Sequence, residues 1–304
     1  MMWRKITAMI DLRRFETLIS LKNSVALIII GLLLVVGANQ AYAQQPKTLK
    51  IISYNVYDCF QGSEQIKALF ADWTGQQKPD VIAFQEIKNY TEDSFNAFAT
   101  QLGFPYSALQ REKGHSVAFM SRFPITEVQK ITKGMQHGYM SAKILNYRMV
   151  VVHLAPFTWQ QRNREMDSLI NYLHKFKKEQ VLVMGDFNNM SPADSTVYGP
   201  EKIRMMEDTE KKVERIRNLR DGHIDYVPMQ KILSQDFVDT WRIFHNTYEK
   251  SAPSQVKSHN NFTRIDYILV NKEMQKRCLD AYMIKDTATN RISDHYPQVL
   301  ILRN

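Results

Sequence analysis

Residues 181–188 read Val-Leu-Val-Met-Gly-Asp-Phe-Asn, and this octet decides the fold. Four uncharged apolar residues make a short strand buried on both faces. Asp186 and Asn188 follow it, two apart, so an extended chain points both to one side and turns Phe187 into packing. Other strands end in the same way. Leu49–Tyr54 stops at Asn55, Asp80–Phe84 delivers Gln85-Glu86, and a strand from Arg148 ends at His153. Asp266 lies inside the apolar run Ile265–Val270, and Ser293-Asp294-His295 precedes the closing strand Gln298–Leu302.

Between these strands the apolar spacing changes to a helical one. Gln65–Trp73, Ser94–Leu102 and Glu165–Phe176 each carry one apolar stripe, and part of the charge-rich stretch Glu201–Arg220 keeps a line through Val213, Ile216 and Leu219. Further strands are expected at Ser116–Ser121, Ile125–Ile131 and Ser141–Leu145, with Asn146-Tyr147 as a tight hairpin turn. Helices and strands interleave without strict alternation, so a simple doubly wound sheet fits poorly. Two packed mixed sheets with outer helices fit better.

The 304 residues open with Arg4, Lys5, Arg13, Arg14 and Lys22, then an apolar run from Val25 to Gly37, then Ala41-Tyr42-Ala43 before Gln44. That is the pattern of a secretory signal peptide over 1–43, and the run is short for a membrane span. A retained N-terminal anchor is the alternative. Residues 44–304 then form a single domain, large enough to bury a full core. The chain carries a formal charge of +9, and the leader accounts for five cationic and two anionic groups. The remaining excess favours an anionic partner without specifying nucleic acid. Cys59 and Cys278 stand far apart, and export would permit a disulfide between them.

Each polar group has an ordinary reading alone: Asn55 as a turn cap, Glu86 as a solvated strand end, His153 as a strand-end histidine. Together they read as a site. A carboxylate closing a core strand is costly unless paired or metal-bound, which makes Glu86 a candidate ligand for a hard cation. Asp266 needs a strong donor, and His295 is the natural one. Asp294 is placed to contact the cation or its water, and Arg122 to reach substrate charge unless it packs at a strand terminus. His115, His137, His223 and His259 read as loop or surface residues, and Trp159 and Trp241 as core, with pocket lining the alternative.

In order and spacing, Gly185-Asp186-Phe187-Asn188, Arg264-Ile265-Asp266-Tyr267-Ile268 and Ser293-Asp294-His295 resemble the endonuclease/exonuclease/phosphatase family, which includes the DNase I-like nucleases. The resemblance runs from Leu49 to Leu302. It implies an α/β fold, a four-layer α-β-β-α sandwich with two central mixed sheets, and a catalytic domain over 44–304. It further implies Glu86 as chief metal ligand with Asn55 and Asp294 beside it, the metal being Mg2+ with Mn2+ or Ca2+ as substitutes. Asp186 would orient or deprotonate water, His153 and Asn188 would hold phosphate, and His295 with Asp266 would stabilise the phosphoryl group. The family often has an acidic residue two beyond the first-strand Asn; here that position is Tyr57, and Asp58 would face away.

The implied activity is metal-dependent hydrolysis of a phosphate ester by in-line water attack. A nuclease is one expectation. A sphingomyelinase-like enzyme touching a membrane surface, an inositol- or sugar-phosphate phosphatase, and a secreted non-catalytic binding protein are the others. The loop His259-Asn260-Asn261-Phe262 is expected to matter for the choice.

Overall fold

The computed structural model describes residues 46–257 and 259–304; the expected secretory segment lies outside them. Strands β1 (Thr48–Asn55), β2 (Val81–Ile87), β3 (Tyr106–Leu109) and β4 (Ser116–Ser121) begin a first sheet. Strands β5 (Ile125–Ile131), β6 (Gly138–Ile144), β7 (Tyr147–His153) and β8 (Gln180–Asp186) begin a second. After a small ladder of β9 (Leu219–Arg220) and β10 (His223–Ile224), β11 (Phe237–Asp239) and β12 (Asp266–Asn271) complete the second sheet. The chain then returns to the first with β13 (Cys278–Met283) and β14 (Gln298–Arg303).

The strand orders are β13-β14-β1-β2-β4-β3 and β11-β12-β8-β7-β6-β5. Each sheet has one parallel pair, β1 with β2 and β7 with β8, among antiparallel neighbours. Both sheets are therefore mixed, as expected.

Alternation along the strands builds three apolar layers. Leu49, Ile51, Val81, Ala83, Met149 and Val151 pack between the sheets, with Leu182 and Met184. Ile52, Ile82 and Phe84 face the other way, under α1 (Glu64–Gln77) and α2 (Glu92–Gln101), against Phe70, Trp73, Phe95 and Phe98. Val150, Val152, Val181 and Val183 lie under α3 (Trp159–Leu173), against Met166 and Leu169. Strands that are apolar on both faces are the condition for a helix–sheet–sheet–helix stack. Each such side chain contributes roughly 1.5–3 kcal/mol by burial.

Helix α3 starts at Trp159 rather than Glu165, because Thr158 accepts the Gln161 N–H at 3.2 Å and caps it. It is followed by α4 (Pro200–Lys212), α5 (Val227–Leu233), α6 (Thr240–Phe244) and α7 (Thr289–Ile292). The hairpin turn uses Leu145-Asn146, one residue earlier than expected, with Leu145 at φ 54°. Trp159 and Trp241 are half-buried rather than core: Arg220 lies over the Trp159 ring and His245 stacks on Trp241. Cys59 and Cys278 are both free thiols. Among the described residues no helix is long and apolar enough to cross a membrane.

Candidate active site

Register brings the polar strand ends to one edge of the sandwich. In the second sheet Asp186 pairs with His153 on one side and Asp266 on the other. By alternation these three share the inter-sheet face with Val151, Met184 and Ile268. From the first sheet, Asn55 shares that face with Ile51. One amide joins the sheets: Asn55 Nδ2 donates to Glu86 Oε1 and to Asp186 Oδ2, each at 3.1 Å.

Strict alternation would turn Glu86 outward with Phe84. A register break between Phe84 and Ile87, with Glu86 at φ 65°, turns it to the site instead. The next connection is also unusual. Tyr57 to Gln61 all have positive φ, a left-handed turn that costs roughly 1–2 kcal/mol per residue without glycine. It aims the Asp58 N–H at Glu86 Oε2, 2.6 Å away, and the Tyr57 N–H at Asn55 Oδ1, 3.1 Å away. Asn55 thus holds two carboxylates in place while its own oxygen is engaged. The Asp58 carboxylate turns to Lys88 and His115.

Gly185, at φ 141°, lets β8 lie against β7: an added Cβ would stand 2.0 Å from the Val152 carbonyl oxygen. Asp186 Oδ1 accepts the Asn188 N–H at 2.8 Å, and Asn188 Nδ2 donates to Leu154 O at 2.9 Å. Burial, then the Asp266 carboxylate, pushes the Asp186 carboxyl up to about 8. Burial works against a charged His295, yet Asp266, bonded to its Nδ1 at 2.8 Å, holds it well above the ordinary histidine range, with help from Asp186 and Asp294. His295 Nε2 lies 3.9 Å from Asp186 Oδ2 and 4.0 Å from Asp294 Oδ1. Ser293 fixes this loop by donating to Asn55 O at 2.6 Å and accepting the His295 N–H at 3.1 Å.

The donor set suits a hard divalent cation. Glu86, Asp186 and Asp294 supply carboxylate oxygens, and Asp294 Oδ1 is buried with no hydrogen-bond partner. Asp186, Asp266 and His295 also bring ligand-type atoms within 4.8 Å of one another. The Asp266–His295 bond commits those two groups to each other, which favours the Glu86 side for an ion.

Some neighbours carry no clear signal in the sequence. His137, expected at the surface, is buried and stacks on His153 with ring centroids 4.1 Å apart. His115 stands edge-on to His137 at 5.7 Å. Lys257 pairs with Asp294 Oδ2 at 2.8 Å. Arg264 is fully buried between Asp194 (2.8 Å) and Asp239 (2.6 Å) and braces the strand that carries Asp266. Arg122 is a correction. It lies at the opposite end of β4 from Ser116, with its Nε on Pro79 O at 3.0 Å and its guanidinium over Phe104, remote from the polar edge. The Ser-Arg-Phe-Pro segment is a packed strand terminus.

Two mixed sheets between helices, with carboxylates and an Asp-paired histidine at one edge, define a phosphoester hydrolase of the DNase I-like fold. The chain belongs to the endonuclease/exonuclease/phosphatase family, whose model matches residues 52–295. It is 25% identical to exodeoxyribonuclease III of Haemophilus influenzae over 282 residues, covering 82% of this chain and 98% of that one. Among solved structures it resembles an AP endonuclease from Archaeoglobus fulgidus, with TM-score 0.62 and 22% identity over 84% of this chain and all of that one. A 3′-5′ exonuclease from Neisseria meningitidis matches with TM-score 0.64 and 21% identity over 83% and 98% of the two chains.

Proposed function

We propose that this protein is an exported, divalent-cation-dependent phosphoesterase that hydrolyses phosphate esters of nucleic acid. The observation that carries the reading is the single amide of Asn55 holding Glu86 and Asp186 together, with His295 and its Asp266 partner alongside. A relative that is an exodeoxyribonuclease III supports a DNA substrate, and the positive charge suits any polyanion. The retained polar set argues against a non-catalytic binding protein.

Glu86 and Asp294 would hold the cation, which when bound neutralises charge on the phosphate oxygens. Asp186, whose affinity for a proton is raised, takes the proton of the attacking water. Asn188, with one amide N–H engaged, has a second to offer the phosphate. His153 is held neutral, so one ring nitrogen donates. His295, charged and fixed by Asp266, faces the negative charge that builds on phosphorus oxygens in the transition state. No covalent intermediate is required.

Export rests on the charged and apolar leader of residues 1–43 and its small-residue cleavage pattern. Cell fractionation with N-terminal sequencing of the product tests it, and a cytoplasmic chain retaining Met1 would refute it. The enzymatic reading is tested by offering plasmid DNA, RNA, sphingomyelin, inositol phosphates and p-nitrophenyl phosphate, with Mg2+, Mn2+ or chelator. Cation-dependent cleavage of DNA is expected. Turnover of lipid or inositol phosphate alone would move the substrate class, and no turnover of any ester would sink the proposal.

A further inference from the structure

A cavity of about 170 Å³ opens beside Asn188, lined among others by Arg162, Asn189, Lys202, Asp225 and Asn261. Both of its cations are buried: Lys202 has no carboxylate acting on it, while Arg162 makes no direct ion pair but feels Asp225, Glu165 and Asp186 nearby. Lys202 Nζ donates to Asn261 Oδ1 and, at 3.1 Å, to the Phe262 carbonyl, both neutral oxygens. Arg162 donates to Ala155 O at 3.1 Å and Asn218 Oδ1 at 2.7 Å, and its buried Nε has no partner. The carboxylate in the lining, Asp225, is already engaged: it accepts from Asn163 Nδ2 at 2.6 Å and from the Val227 N–H at 3.2 Å, with Arg220 at 3.9 Å.

Elsewhere the protein treats buried cations differently. Arg264 has Asp194 and Asp239, and Arg148 has Glu127 and Glu179. Burying an ammonium among neutral groups is costly. Burial alone pushes the Lys202 ammonium down to about 8. A cost of that kind beside a reaction centre is what a binding site for an anion leaves behind when read from the protein side alone.

We propose that this cavity is a second phosphate subsite, in which Lys202, backed by Arg162, holds a phosphate of the substrate other than the one being hydrolysed. Asn188 is common to the cavity and to the candidate active site, so the two phosphates are neighbours on one molecule. A phosphate brings several acceptor oxygens to lysine and amide donors, and the charge-assisted bonds it forms are about twice as strong as neutral ones. The inference rests on the phosphoesterase reading for the identity of the first phosphate. It names the substrate as a compound with two phosphates about one sugar apart: a nucleotide strand or a small sugar bisphosphate.

Calorimetry on the full chain without added divalent cation, so that nothing turns over, tests it. Thymidine 3′,5′-bisphosphate is compared with thymidine 5′-monophosphate, and glucose 1,6-bisphosphate with glucose 6-phosphate. In at least one pair the bisphosphate should bind about ten-fold more tightly. Lys202→Met should reduce that preference to about twofold or less and leave the monophosphate affinity unchanged. Lys202→Arg should keep most of it, which separates lost charge from lost folding. The pair that shows the preference identifies the source as nucleotide or sugar. No preference in the wild type, or a preference that survives Lys202→Met, overturns the subsite. A preference that behaves as expected in a protein that hydrolyses no ester with Mg2+ would instead sink the proposed function and leave the subsite standing.

Discussion

The imidazole rings of His137 and His153 lie nearly parallel, 12° between planes, with centroids 4.1 Å apart. Burial pushes His137 down to about 2, with the positive potential of His153 and His115 adding to it. Burial does the same to His153, which falls to about 3. Two stacked rings sealed from water stay neutral, and each supports the other's orientation at the wall of the site.

That stack makes the fold acid-sensitive. In the unfolded chain both rings take up protons near 6.5, whereas the folded protein refuses them until about pH 3. The unfolded state therefore binds more protons across that window, and stability falls as pH falls through it. The loss should approach about 1.4 kcal/mol per pH unit per histidine below pH 6. His295 has the opposite sign: its raised pKa contributes stability that is fully present below 6.5 and fades only at higher pH. Urea unfolding at a series of pH values measures the slope, and His137→Phe should make it shallower by about one histidine's share.

Asp266→Asn should lower kcat about a hundred-fold or more with a much smaller change in KM. The loss falls on a charge wanted most in the transition state. Steady-state kinetics on the best substrate of the panel checks this, and equal loss in kcat and kcat/KM is the expected pattern. An unimpaired kcat would remove the His295–Asp266 pair from the chemistry.

Glu86→Gln should raise the Mg2+ concentration for half-maximal activity by about ten-fold or more, because a neutral amide is a far poorer ligand for a hard cation. The amide keeps an acceptor for Asn55 Nδ2 or for the Asp58 N–H but not for both, so the melting temperature should fall modestly while the fold persists. Calorimetric Mg2+ titration and a thermal melt separate the two effects. Unchanged cation affinity would place the ion elsewhere.

Gly185→Ala should destabilise the protein by about 2–4 kcal/mol, through a clash with Val152 O and a backbone angle that side-chain-bearing residues avoid. Its urea midpoint is the readout. A variant of wild-type stability would mean that β7 and β8 can part without cost.

Much of this was legible from strand ends. Runs such as Val181–Met184 are apolar on both faces, and a polar residue that terminates such a run must meet something. That logic points to Asn55, Glu86, His153, Asp186, Asp266 and His295, which the structure gathers at one edge. It missed β3, β11 and β13, each an edge strand with pairing on one side only, so the apolar pattern there is weak. It placed Arg122 at the site because a cation beside a strand end looks alike at either end of a sheet; only the antiparallel register of β4 with β2 tells them apart. His137 and Lys257 sit in loops, and their partners lie far away in sequence, which local spacing does not encode. Glu86 was found for a reason that strict alternation would have denied, since the bulge that redirects it has no glycine to announce it.

Asn55 comes from the first strand and Asp186 from the opposite sheet, while His295 arrives just ahead of the last strand, which docks directly on β1. No contiguous half of the polypeptide owns a working set of groups. The site is therefore chemically silent until β1 and β14 have paired.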